Sequence, residues 1–180
     1  MNQLRNNLKF SIFNYMRYFL IRFHIRFDNL PWIDRNVRFL RFKKNISIGK
    51  NLVIKSNSIL CSCNKNAIIS IGDNVSIGYN NLIFASDNIK IGNNVLIAPN
   101  VHIVDSNHKS SLEKDIIFQE NISKPIIIED DVWIGSGCII LSGSHIKKGS
   151  IIAANSVVNS HLLSNSIYGG SPVKFIKKRK

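Results

Sequence analysis

Cysteine, proline and glycine are scarce in this chain, with three, four and ten copies in 180 residues. Three cysteines cannot build a disulfide framework, and Cys61 and Cys63 lie too close together in an extended segment for an easy bridge. So little proline and glycine excludes collagen-like and low-complexity chains. Because 44% of the residues are hydrophobic, the chain is not intrinsically disordered. The unpaired cysteines predict a cytoplasmic protein.

Acidic residues are also few, 11 against 24 lysines and arginines, which gives a net charge of +13. This charge lies at the two ends: residues 1–44 carry +8, the segment from residue 174 carries +5, and residues 45–173 are neutral. Nucleic-acid-binding domains more often place their charge on one face of the folded body. We therefore expect no nucleic-acid partner.

Long apolar runs and phosphate-binding loops are both missing. The apolar stretch from Phe10 to Ile25 is interrupted by Arg17 and Arg22, so it is too short to cross a bilayer, and it lacks the form of a signal peptide. We expect no removed leader. Neither a P-loop nor a dinucleotide-binding glycine motif occurs, so nucleotide hydrolysis and hydride transfer have no support.

An aliphatic residue returns every sixth position through most of the chain. The fifteen positions, in four blocks, are Ile48, Ile54 and Leu60; Ile71, Ile77 and Ile83; Ile91, Ile97 and Ile103; and Ile128, Ile134, Ile140, Ile146, Ile152 and Val158. Small residues or valine stand four places further on, as at Val75 and Cys138. A period of six fits a solenoid in which three hexapeptides close one triangular coil and the aliphatic side chains point inward. Glycine or asparagine would take the backbone through the corners.

The strings IGNNVLIAPNVHIVDSNH and KPIIIEDDVWIGSGCIILSGSHIKKGSIIAANSVV, with the ending YGGSPVKFIKKRK, resemble the hexapeptide-repeat acyltransferases, most closely the sugar and polysaccharide O-acetyltransferases. The resemblance implies a left-handed parallel β-helix. We therefore predict a basic, aromatic-rich arm over residues 1–44, a β-helix over 45–168 with a projecting loop at 104–127, and a basic tail over 169–180. The resemblance further implies a homotrimer with active sites between subunits.

By this resemblance, His108 matches the catalytic histidine at the start of the loop. A sugar hydroxyl is a poor nucleophile, so a base must take its proton as it attacks a thioester, and histidine can do this near neutral pH. A carboxylate or carbonyl group should orient the imidazole. Asp105 is the nearest carboxylate in sequence, and a carbonyl in the loop would serve equally well.

The resemblance also implies residues for the two substrates. Asn80, Asn81 and Trp133 are candidates to contact a sugar or glycan acceptor, with Asp105 beside them. The donor is acetyl-CoA, and no metal is expected. The candidates to hold the donor are small residues of the late coils and bases of the tail: Gly135, Ser142, Ala153, Ala154, Lys174, Lys177 and Arg179.

Two questions stay open at this level. The arm, with a helix predicted near residues 8–21, either caps the first coil or contacts an anionic membrane surface, which would place the protein at the inner face of the membrane. The chemistry is O-acetylation of a surface-polysaccharide precursor or, alternatively, N-acetylation of a nucleotide-linked amino sugar. A γ-type carbonic anhydrase and a scaffold without catalysis are the remaining readings; the former needs a third metal histidine beside His102 and His108.

Overall fold

The structure is a computed structural model that describes residue 8 and residues 10–180. Two bases of the predicted arm, Arg5 and Lys9, lie outside the described residues. One α-helix, α1, spans Ile12–Ile21. It begins at Ser11, whose backbone N–H donates to Asn14 Oδ1 at 3.0 Å. The helix is followed by strands numbered β1 to β23 in chain order and by two short 3-10 helices, Lys43–Asn45 and Ile116–Phe118.

Three sheets run along the molecule as the faces of a triangular prism, and nearly all of their pairings are parallel. The first sheet contains β1 (Arg26–Phe27), β4 (Ile46–Ile48), β7 (Ile68–Ile71), β10 (Asn88–Ile91), β15 (Ile126–Ile128), β18 (His145–Ile146) and β21 (His161–Leu162). The second contains β2 (Trp32–Ile33), β5 (Val53–Ile54), β8 (Ser76–Ile77), β11 (Leu96–Ile97), β16 (Trp133–Ile134), β19 (Ile151–Ile152), β22 (Ser166–Gly169) and β23 (Lys174–Lys178). The third contains β3 (Arg38–Arg41), β6 (Ile59–Ser62), β9 (Leu82–Ala85), β12 (His102–Val104), β17 (Ile139–Leu141) and β20 (Val157–Val158).

Successive strands of the chain fall in successive sheets, so the backbone winds as a left-handed parallel β-helix. All fifteen residues of the six-residue pattern are buried. The first, Ile48, is 2% exposed, and the last, Val158, is 0% exposed. Their side chains stack in register from coil to coil, for example Ile54 beside Ile77 and Ile97 beside Ile134. The predicted core is therefore confirmed.

The β-helix begins well before the predicted boundary at residue 45. Strands β1, β2 and β3 pair in parallel with β4, β5 and β6, so residues 26–41 form a complete first coil. Phe27, Ile33 and Phe39 face its interior at the same spacing of six. The pattern was missed because aromatic rings replace aliphatic side chains at two of these three positions. Of the part of the arm that the structure describes, the residues before Arg26 lie outside the coils.

The corners use asparagine more than expected. Backbone φ angles near +60°, the left-handed region that few side chains other than asparagine tolerate, occur at Asn51, Asn74 and Asn94 among others. Their side chains join into a ladder, because the Asn51 amide donates to Asn74 Oδ1 at 2.9 Å and the Asn74 amide to Asn94 Oδ1 at 3.0 Å. Glycines such as Gly72 instead permit close approach: a Cβ there would lie 2.8 Å from the backbone of Gly92.

Within the described residues, no helix has the length and apolar character needed to cross a membrane.

Candidate functional site

An excursion interrupts the coils between Val104 and Ile126, where the loop was predicted. Its base is an antiparallel hairpin of β13 (Ser106–His108) and β14 (Asn121–Ser123). The Lys124 N–H closes the base by donating to the Asp105 carbonyl at 3.0 Å. Further out, an ion pair of 2.7 Å joins Lys109 Nζ to Glu120 Oε2. The excursion is thus an ordered hairpin that projects from the coils.

His108 ends the first strand of this hairpin, opposite Asn121, and it is exposed. Its backbone N–H donates to Asn107 Oδ1 at 2.9 Å. Among the described residues, no hydrogen bond or ion pair engages its imidazole, so both ring nitrogens are free to meet other groups. The backbone of His108 is therefore held by strand pairing, while its imidazole is exposed and has both nitrogens free.

Asp105 does not orient His108, which corrects one of the two predicted arrangements. Its side chain is fully buried, and its two oxygens accept hydrogen bonds from the backbone N–H groups of Ser86 (2.6 Å) and Asp87 (2.9 Å). Burial raises the pKa of the Asp105 carboxyl, an effect that these two donors oppose. Because both oxygens are occupied inside the protein, Asp105 is a structural residue that neither contacts an acceptor nor holds the imidazole.

Asn80 and Asn81 both serve the coil, and of the two only Asn81 is buried away from the predicted acceptor. Asn80 turns a corner with φ of 56°, and its amide donates to Asn100 Oδ1 at 3.3 Å. Asn81 is only 2% exposed and accepts the Val101 N–H at 2.7 Å through Oδ1. Both side chains support the neighbouring coil. A buried asparagine such as Asn81 has no distinguishing mark in the sequence, whereas Asn80 is exposed and its acceptor contact stays a prediction.

Trp133 points away from the core on β16, as its place beside Ile134 predicted, and 49% of it is exposed. On the same outer face, Leu96 precedes it and Ile151 follows it in register. Leu96 is also exposed, at 36%. An apolar strip with a large ring at its centre therefore faces outward from the second sheet.

The predicted small residues of the late coils divide into two groups. Gly135 lies directly against Ala154 of the next coil, since a Cβ on Gly135 would approach the Ala154 nitrogen to 2.6 Å. Ala153 precedes it on the same turn, and its carbonyl accepts the Ser156 hydroxyl at 2.7 Å. Ser142, by contrast, is tied to the hairpin base, where its Oγ accepts the Lys124 N–H at 3.0 Å. The structure brings together Gly135, Ala153 and Ala154, with Ser142 at another corner.

The basic tail folds back as β23, antiparallel to β22, so that Lys174 pairs with Gly169 and Lys177 with Ile167. Both lysines are exposed. Arg179 is already engaged: its guanidinium donates to Asp131 Oδ2 at 2.7 Å and to the Gly149 carbonyl at 3.2 Å. Lys174 and Lys177 are consequently free to meet a phosphate, whereas Arg179 fastens the tail to the coils.

An oriented histidine that the sequence did not single out is His145. His145 Nε2 lies 2.7 Å from Glu129 Oε1, and Glu129 Oε2 accepts the Lys148 N–H at 2.9 Å. The Lys148 donor and the His145 ring hold the pKa of Glu129 below its usual value. The signal was the spacing of 16 residues between the two side chains, close to one coil, which places them on neighbouring strands of one face.

In the part of the chain that the structure describes, no group of three or more histidine, cysteine, aspartate or glutamate side chains is arranged to hold a metal ion. His102 and His108 thus have no third partner there of the kind that a γ-type carbonic anhydrase would need.

Comparison with known proteins agrees with the repeat pattern and the fold. The pattern described as "Bacterial transferase hexapeptide (six repeats)" matches residues 125–160, and that described as "Hexapeptide repeat of succinyl-transferase" matches residues 68–104. A lipopolysaccharide biosynthesis protein of Escherichia coli K12, named "putative" O-acetyl transferase WbbJ, is 31% identical over 161 residues, which are 85% of this chain and 79% of that protein. The chain therefore belongs to the hexapeptide-repeat acyltransferase superfamily.

The matches to other curated relatives cover a smaller share of their length. A "putative" acetyltransferase of Saccharomyces cerevisiae is 40% identical over 116 residues, and the match spans 64% of this chain but only 59% of the yeast protein. Among solved structures, a hexapeptide-repeat acetyltransferase of Vibrio cholerae in complex with acetyl-CoA is 28% identical with a TM-score of 0.63, covering 98% of this chain and 82% of that one. An N-acyltransferase of Bacillus cereus shares the fold at a TM-score of 0.75 and 22% identity, covering 91% and 89%.

Proposed function

We propose that the protein transfers an acetyl group from acetyl-CoA to a hydroxyl of a sugar or surface-polysaccharide precursor, with His108 as the general base. The observation that carries this proposal is the unengaged imidazole of His108 at the end of a backbone-paired strand. Catalytic bases must be placed accurately and still be free to accept a proton. The 31% identity with the Escherichia coli O-acetyl transferase over most of both chains supports the same class of reaction.

In the proposed reaction, the His108 imidazole removes the proton of the acceptor hydroxyl while that oxygen attacks the thioester carbonyl carbon. The carbon–sulfur bond then breaks, and the imidazolium returns its proton to the departing sulfur. The acetyl group ends as an ester on the acceptor, and the imidazole is regenerated in its starting form. With Asp105 occupied, a carbonyl group or the acceptor itself must orient the ring.

A second copy of the chain would complete the site. In a single chain His108 is exposed, and the apolar side chains of the excursion are uncovered, among them Leu112, Ile117 and Phe118. Trp133 and Leu96 are likewise exposed on a flat sheet face. Packing the excursion of one subunit on the outer face of another would cover both surfaces and exclude water from His108. We therefore propose a homotrimer with sites between subunits.

The late coils and the tail are the proposed place for acetyl-CoA. Gly135, Ala153 and Ala154 leave the coil surface free of bulky side chains, so the pantetheine arm can approach backbone groups. Lys174 and Lys177 offer exposed cations to its phosphates. The complex of the Vibrio cholerae acetyltransferase with acetyl-CoA supports this choice of donor.

The acceptor is tested by measuring CoA release from acetyl-CoA with a panel of sugars, nucleotide sugars and oligosaccharides. We expect a product whose acetyl group is removed by mild base, as an ester is. An acetyl group that survives mild base is an amide, and it would establish the alternative, N-acetylation of a nucleotide-linked amino sugar. Failure to bind acetyl-CoA in calorimetry would contradict both reactions and favour a scaffold.

A further inference from the structure

Helix α1 is fastened to the free edge of the first coil by one of its faces. Strand β2 pairs with β5 on one side only, so the opposite edge carries unpaired backbone groups. The Asn14 amide donates to the Ile33 carbonyl at this edge, at 2.9 Å, and the Arg17 guanidinium approaches the same oxygen to 3.4 Å. Asn14 is only 4% exposed. The helix therefore covers the end of the β-helix.

Apolar contacts complete the attachment on the same face. The ring of Tyr18 meets that of Phe27 in the first coil, with centroids 5.8 Å apart. Ile21, one turn further along, packs on the core cluster. Asn14, Arg17, Tyr18 and Ile21 recur at the spacing of three and four residues that one helix face requires. This face accounts for a cap on the first coil, one of the two roles that the sequence left open for the arm.

The opposite face of the helix is apolar and uncovered. Its large side chains, with the exposed fraction of each, are Ile12 (71%), Phe13 (61%), Met16 (54%), Phe19 (58%), Leu20 (70%) and, in the turn that follows, Phe23 (67%). A helix that packs on a protein by one face normally presents polar side chains on the other. Here six large apolar groups face outward together, which marks an interaction surface.

Positive charge lies beside this apolar face. The Arg22 guanidinium lies over the rings of Tyr18, Phe19 and Phe23, at 5.7, 5.9 and 5.6 Å from their centroids. Arg26 follows in strand β1, where 81% of its side chain is exposed and its Nε lies 3.9 Å from Asp28 Oδ1. Residues 10–44 hold eight lysines and arginines against two aspartates, a net charge of +6. The surface is thus an apolar strip with cations at its margin.

We propose that this face of α1 binds the surface of an anionic lipid bilayer, with its apolar side chains among the upper acyl chains and its arginines against lipid phosphates. A helix of this character lies in the membrane interface at a depth of about 5–10 Å. A second copy of the chain is a poor occupant, because it would bring the same net positive charge to the contact. The proposal is independent of the acetyl-transfer reaction.

The test measures co-sedimentation of the purified full chain with vesicles of phosphatidylcholine alone or with added phosphatidylglycerol. We expect binding to the anionic vesicles and little to the neutral ones, and weaker binding as salt rises through the physiological range. Phe19→Ser/Leu20→Ser should lower the partition coefficient by about tenfold or more, because it removes two apolar side chains from the bilayer. Arg22→Gln should lower it by about fivefold.

Leu163→Ser is the matched control, because the exposed fraction of Leu163, 57%, is similar to that of Phe19. Leu163 lies in the last coil, at the other end of the β-helix. It should bind vesicles as the wild type does, and all variants should keep the wild-type melting temperature. Equal binding to neutral and anionic vesicles, or equal losses from Phe19→Ser/Leu20→Ser and Leu163→Ser, would overturn the proposal. So would a change of oligomeric state in the Phe19→Ser/Leu20→Ser variant seen by sedimentation velocity, since it would show that another copy covers this face.

Discussion

The coils bury their inward side chains, whereas nearly every residue of the hairpin excursion is exposed. In the coils, buried side chains such as those of Asp105 and Ser144 are paired with backbone groups of the same or the next coil. In the excursion, the imidazole of His108 has no partner among the described residues, and large apolar groups such as Ile117 are exposed. The comparison separates stability from chemistry: substitutions in the coils should affect unfolding, and substitutions in the excursion should affect turnover.

The largest expected effect breaks the chemistry and leaves the coils intact. His108→Ala should lower the turnover number by about 10²–10⁴, the usual contribution of general acid–base catalysis. Its melting temperature and its acetyl-CoA affinity should match those of the wild type, because the side chain contributes nothing to the core. Steady-state kinetics and calorimetry check both expectations.

His145→Ala is the control for that measurement, since it removes a histidine that is already paired, with Glu129. Its loss of turnover should be far smaller than that of His108→Ala. If His145→Ala is inactive while His108→Ala keeps most of its rate, the base belongs to the Glu129–His145 pair.

The next largest effect is a loss of stability from a substitution in the coils. Asp105→Asn replaces one of two acceptor oxygens by an NH₂ group that faces a backbone N–H, so the free energy of unfolding should fall by about 1–3 kcal/mol. Chemical denaturation measures it. Asp115→Asn, in the exposed excursion where the Asp115 side chain makes no capping hydrogen bond, should change stability little. Equal losses for the two variants would contradict the structural role of Asp105.

A corner of the coils allows a finer measurement. Asn94 has φ of 56° and accepts the Asn74 amide at 3.0 Å. Asn94→Gly removes only the ladder hydrogen bond, whereas Asn94→Ala also forces a Cβ into the left-handed region. The alanine variant should therefore be the less stable of the two by about 1 kcal/mol. If the two variants unfold at the same denaturant concentration, backbone strain does not decide this position.

The smallest effect concerns the tail. Arg179→Gln removes an exposed ion pair with Asp131, so it should cost under about 1 kcal/mol of stability, and less still at high salt. Acetyl-CoA affinity should persist in this variant and should fall in Lys174→Gln, whose side chain is free. Equal losses of affinity would return Arg179 to the donor site.

The sequence carried the coils well because a period of six is repeated many times and tolerates few exceptions. It failed at residues 26–41, where Phe27 and Phe39 hide the period behind aromatic rings, and at polar residues such as Asn81. A polar side chain that satisfies a backbone group inside the protein looks, in sequence, the same as one that meets a substrate. Only burial and partners distinguish them, and these depend on residues about one coil away. The catalytic role of His108 stays a prediction, and its side chain is exposed as that role requires.

The base of the excursion has a consequence for how the chain tolerates change. Strands β10, β11 and β12 before it pair directly with β15, β16 and β17 after it, and the Lys124 N–H reaches the Asp105 carbonyl across its two ends. The three sheets are thus continuous beneath the hairpin, although the residues of the hairpin lie between two coils in the sequence. The excursion can therefore differ in length and composition between Lys109 and Ser123 without shifting the register of the coils, whereas its first strand must keep His108 for the proposed reaction.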